Sequence, residues 1–115
     1  MFKLTKEQAK RLAQYPYLNQ YVDEYITNNG QSTTVGVLSS LTFFFKIMCI
    51  NNNLNEQELF GWDEELAEDF YTWGSNSRWA NTFDAYLAAN FNECVDIALD
   101  LVENYGDSDI YENLK

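Results

Sequence analysis

The sequence predicts an all-α fold, a compact bundle of about five to six helices packed around one apolar central helix. Three observations predict it. Apolar residues recur at helical spacing along most of the 115-residue chain, Thr and Asn cap signals precede those runs and Asn/Gly stops follow them, and five Gly and a single Pro are too few for a turn-rich all-β domain. The length fits one domain, residues 1–115, and 46% apolar with 17% aromatic residues is enough for one core.

Thr5 opens the first helix. Thr5 and Gln8 have capping-box spacing, and Leu4 stands outside the cap where it can act as a staple. Pro16 disfavours helical geometry in the residue before it, so this helix is expected to stop near Tyr15. The second runs from about Tyr17 to Asn28, with Leu18, Tyr21, Val22, Tyr25 and Ile26 on one face, and Gly30 is its expected left-handed cap.

Thr33 or Thr34 can cap a third helix that continues to about Ile50. Val35, Leu38, Leu41, Phe45, Met48 and Cys49 form its stripe. Val37, Phe43, Phe44 and Ile47 make it apolar nearly all round, which marks it as the central helix. Its β-branched and aromatic content leaves a strand pair as the alternative. The apolar run from Val35 to Ile50 contains Ser39, Ser40, Thr42 and Lys46 and falls short of the roughly 20 apolar residues of a membrane span. Without an export signal either, the expectation is a soluble, cytoplasmic protein whose Cys49 and Cys94 are reduced and buried.

Asn55 and Glu58 repeat the cap spacing ahead of a short turn to Phe60 and Gly61. A helix over Trp62 to Trp73 then turns Trp62, Leu66, Phe70 and Trp73 inward, and one from Arg78 to Ala89 turns Trp79, Phe83, Tyr86 and Leu87 inward. The last helix begins at Asn90 or Asn92 and ends near Tyr105-Gly106. Its stripe is Phe91, Cys94, Val95, Ala98, Leu101, Val102 and Tyr105. The tail from Asp107 to Lys115 is expected to fray.

Charge is the strongest signal of function. The chain carries 18 acids against 7 bases, a formal net charge of −11, unevenly placed. Residues 1–54 hold five bases and three acids, and residues 55–115 hold fifteen acids and two bases. Phosphates would repel the second half, while a basic surface would be steered toward it. In the last helix Glu93, Asp96, Asp100, Glu103 and Asp107 follow a 3, 4, 3, 4 spacing and form a stripe away from the apolar one. Glu64, Glu65, Glu68 and Asp69 repeat the pattern, and Asp109 and Glu112 continue it into the tail. A solvated face explains any charge run. Here, however, Glu64–Glu68, Glu65–Asp69 and Asp96–Asp100 are like-charge pairs that oppose helix stability, and Asp100 and Glu103 sit near a helix carboxyl end, where anions are disfavoured.

Such an array of carboxylates offers a basic groove something like a phosphate backbone. In size, charge and helix content the chain resembles the DNA-mimicking antirestriction proteins and several anti-CRISPR proteins of phages and mobile elements. The resemblance implies an inhibitor that binds a basic nucleic-acid-binding protein or nuclease and occupies its nucleic-acid site. An immunity protein or antitoxin covering a basic nuclease toxin would use the same residues. A non-catalytic adaptor or assembly protein is the third reading and predicts an apolar, salt-insensitive contact.

Enzyme chemistry is not expected. The chain has no histidine, no P-loop, no dinucleotide fingerprint and no nucleophile elbow. Asp107, Asp109 and Glu112 lack the glycine and terminal glutamate of a calcium loop, so no metal or cofactor is implied. Lys3, Lys6, Lys10 and Arg11 cluster at the first helix, where contact with the acidic half, within the molecule or across a dimer, is a better use than binding nucleic acid.

Overall fold

The computed structural model describes residues 2–30, 40–61, 85–110 and 112, and among these every regular element is helical and no strand occurs. In chain order the helices are α1 (Lys6–Leu12), α2 (Pro16–Thr27), α3 (Ser40–Asn51), α4 (Glu56–Phe60) and α5 (Phe91–Tyr105), and residues 85–89 form a further helical stretch that leads into α5. The expected helix from Trp62 to Trp73, the first part of the next one and the start of the central helix at Thr33 or Thr34 lie outside the described residues.

α1 starts on the expected capping box. The Thr5 hydroxyl accepts from the Gln8 amide at 3.1 Å, and the Gln8 side chain accepts from the Thr5 amide at 3.1 Å, so two amides that the helix cannot satisfy are paired reciprocally. The helix ends at Leu12, short of the expected Tyr15. Gln14 and Tyr15 fold back in a tight turn, their amides bonded to Arg11 and Leu12 carbonyls, so that Pro16 can stand at the first position of α2, where its missing N–H costs nothing.

α2 and α3 close in the same way. Each ends on an Asn-Asn pair: the side-chain amides of Asn28 and Asn52 donate to the carbonyls of Glu24 and Met48, and the next residues, Asn29 and Asn53, are left-handed with φ of 54° each. The amides of Gly30 and Leu54 then reach back to the carbonyls of Tyr25 and Cys49 at 2.8 and 2.9 Å, which satisfies carbonyls the helix leaves open. The end of α2 is therefore left-handed at two successive residues, the expected Gly30 and Asn29 before it. Gly30 is required by space as well as by its φ of 79°: a Cβ there would lie 2.8 Å from the Phe2 ring.

α3 is the central helix. Leu41, Phe44, Phe45, Ile47, Met48 and Cys49 are buried, as are the polar Ser40, Thr42 and Lys46. It packs chiefly on α2, and Ser40 donates to Glu24 across that contact at 3.3 Å. A strand pair is excluded over residues 40–51. Asn55 caps α4 through the Glu58 amide, as its spacing indicates. Aromatic contacts then continue the core from Phe45 to Phe60 and on to Tyr86, with centroids 5.2 and 5.8 Å apart.

α5 turns Phe91, Cys94, Val95, Ala98, Leu99, Leu101 and Val102 inward. Phe2, Tyr25 and Phe91 meet with centroids 5.0 to 5.5 Å apart and join the N-terminal segment, α2 and α5. Tyr105, expected on the inner stripe, is 48% exposed. Cys49 and Cys94 are buried and not joined in a disulfide, and burial, aided by the charge of neighbouring Glu93, pushes the Cys94 thiol up to about 12. Among the described residues no helix is long and apolar enough to cross a membrane.

Candidate functional site

The acids of the last helix form one row, as their spacing indicates, but the row is not simply turned to water. It faces α1. Gln8, a buried residue of α1, donates to the Asp96 carboxylate at 2.9 Å and to the Asn92 carbonyl at 2.8 Å, and its own carbonyl accepts from the Asn92 side chain at 2.8 Å. One turn further along, Arg11 bridges Asp100 at 3.3 Å and Glu103 at 2.7 Å. The hydrogen bond to Glu103 is the main cause that raises the Arg11 pKa above its ordinary value; partial desolvation opposes it and Asp100 adds to it. The charge pattern that opposes the stability of α5 taken alone is thus offset in part by α1.

The tail is docked rather than frayed through Ile110. α2 begins at Tyr15 and Pro16 with no side-chain cap of its own, and the Asp107 carboxylate takes that role from a distance. It accepts from the amides of Tyr17 and Leu18 at 3.1 and 2.9 Å, the second and third residues of α2, where hydrogen bonding and the helix dipole both favour an anion. Asp109 accepts from the Tyr21 hydroxyl at 2.8 Å, whose oxygen in turn accepts from the Ile110 amide at 3.0 Å, and Ile110 is buried.

The predicted partner-binding acids therefore divide. Asp96, Asp107 and Asp109 hold internal contacts. Asp100 and Glu103 hold Arg11, yet their side chains remain 68% and 42% exposed. Glu93 and Glu112 are exposed. Glu64, Glu65, Glu68 and Asp69 lie outside the described residues. Lys3, Lys6 and Lys10 are exposed. Among the described residues no cluster of three potential metal ligands occurs.

A feature the sequence reading missed adjoins this row. Leu54, Leu59, Ile97, Leu101 and Tyr105 line an open groove of about 240 Å3 between α4 and α5, with Asp100 and Asn104 on its edge. Tyr105 also borders a second hollow of about 170 Å3, beside Met48 and Ile110. The available signal was Ile97: apolar, one helical turn before Leu101, and set between Glu93 and Asp100 at spacings of four and three.

The described part is thus a small all-α unit with an acidic face held by its own first helix. No protein-family model, curated protein or solved structure matches the chain.

Proposed function

We propose that this protein is a non-catalytic inhibitor whose acidic surface binds a basic nucleic-acid-binding protein, a nuclease above all, and occupies the site where nucleic acid would lie. The observation that carries this reading is the excess of fifteen acids over two bases in residues 55–115, far beyond what one arginine neutralises. The acids assigned to the partner are Glu64, Glu65, Glu68 and Asp69 together with Glu93, Asp100, Glu103 and Glu112. Asp96, Asp107 and Asp109 are assigned to the protein's own fold. A field of this sign accelerates encounter with a basic groove and makes binding sensitive to salt.

The test is a tagged capture from host lysate washed at about 0.1 M and about 0.5 M salt, with the retained proteins identified by mass spectrometry. A nuclease or other basic nucleic-acid-binding protein, lost or weakened at high salt and displaced by competing DNA or RNA, is the expected result. The variant carrying Glu64→Lys, Glu65→Lys, Glu68→Lys and Asp69→Lys should lose that protein while keeping its helical circular dichroism. Capture that survives both high salt and charge reversal overturns the reading.

A further inference from the structure

The groove between α4 and α5 has the make-up of an interface anchor site. Its walls are aliphatic: Leu54, Leu59 and Ile97 are half-buried against the core, and Leu101 forms the buried floor. Tyr105 stands 48% exposed at one end, a residue type favoured where proteins bind one another. At about 240 Å3 the groove lies below the roughly 300–1,000 Å3 of small-molecule sites and suits one or two inserted side chains.

Its electrostatics select the occupant. Among the described residues no base lines either hollow, and Asp100, although bridged by Arg11 at 3.3 Å from the α1 side, lines the groove and keeps its side chain 68% exposed. On α5 the acid row lies between α1 and the groove, for Glu93 precedes Ile97 by one turn and Asp100 follows it by three residues. An apolar floor beside an anionic rim complements a segment that presents an apolar side chain next to a cation. We propose that this groove seats an aliphatic or aromatic side chain of a basic protein partner, with an adjacent Lys or Arg of that partner against Asp100. The inference rests on the basic-partner reading above and makes Ile97, Leu101, Tyr105 and Asp100 the centre of that contact.

Three synthetic amphipathic helical peptides of equal length test it on the full chain, by titration with backbone amide NMR and isothermal calorimetry. One alternates Lys and Leu at helical spacing, one replaces each Leu with Ser, and one replaces each Lys with Glu. The expected result is that the Lys/Leu peptide binds at least about tenfold tighter than the Lys/Ser peptide and shifts the amides of Leu59, Ile97, Leu101 and Tyr105 most. Tyr105→Ala, at an exposed position, should weaken the Lys/Leu peptide about fivefold or more and leave the Lys/Ser peptide within twofold. Equal binding of the two Lys peptides, with shifts confined to the acids, overturns the groove and leaves the acidic reading standing. Binding of the Glu/Leu peptide as tight as that of Lys/Leu overturns the groove's basic occupant and counts against the acidic reading too. Concentration-dependent shifts of the same amides without peptide would assign the groove to a second copy and overturn the proposal.

Discussion

Tyr15 stands where Ser, Thr or Asp ordinarily caps a helix and makes no cap bond, so α2 relies on a carboxylate some ninety residues later in the chain. Asp107→Ala removes both bonds and should cost about 1–2 kcal/mol, measured by urea unfolding, with Asp107→Asn falling between it and the parent. The Cys94 thiol offers a second test at the scale of one side chain. Its native pKa of about 12 exceeds the ordinary 9.0, so the unfolded state loses its proton first as pH rises. Stability attributable to this group is intact below pH 9 and declines from there toward pH 12. Cys94→Ala should lower stability at pH 7 through lost packing, and should flatten the decline above pH 9 by as much as about 1.4 kcal/mol per pH unit. The fate of single residues also shows what the sequence conveys. The Thr5–Gln8 box is legible because both halves lie within four residues. The Asp107 cap is not, because nothing local joins it to Tyr17 and Leu18.

Among the elements, the Asn-Asn endings of α2 and α3 carry the most specific local chemistry. In each the first Asn binds back by its side chain and the second turns the chain left-handed. Asn53→Ala should therefore cost about 1 kcal/mol, while Asn53→Gly should stay within a few tenths, since glycine meets no steric penalty at φ of 54°. Paired urea titrations of the two variants distinguish backbone strain from loss of a side chain. The stops themselves were legible in the sequence. At α2 the left-handed Gly30 was legible too, whereas Asn29, left-handed just before it, was not, because an Asn does not announce that geometry as a Gly does. The long periodic runs of α2, the described part of α3 and α5 were legible as well, each having enough turns for its apolar face to stand out. The acid row of α5 was legible as a row. Its counterpart was legible in part: charge set the bases of the first helix against the acidic half, and Arg11 does meet Asp100 and Glu103, whereas helical spacing says nothing of the uncharged residues that meet the row. Gln8 is the clearest case: its spacing from Thr5 indicates only a cap, yet it is buried and bonds to Asn92 and Asp96. Gln8→Ala should cost about 1–2 kcal/mol through loss of these hydrogen bonds and of the capping box, measured as a shift in the urea midpoint.

For the molecule as a whole, a net charge of −11 on 115 residues means that self-repulsion opposes the folded state. Salt screens that repulsion more than it weakens the exposed Arg11 bridge, a type of contact that contributes less than about 1 kcal/mol. Raising sodium chloride from about 0.02 to 0.5 M should therefore increase the melting temperature, by roughly 4 °C for each 1 kcal/mol recovered. A fall in melting temperature would show that Arg11 and the other bases outweigh the bulk repulsion. The same screening that steadies the protein should release the basic partner proposed above, so the two salt responses should run in opposite directions.

The polar contacts that hold α1 join residues 84 to 92 positions apart. During synthesis at roughly 5–20 residues per second, the first helix waits on the order of 5–20 s before Asn92, Asp96, Asp100 and Glu103 have been made. A seven-residue helix does not persist alone for want of tertiary support. Ribosome-bound chains should accordingly leave α1 open to proteolysis until α5 has emerged from the exit tunnel, and α1 docks only after translation has delivered that helix.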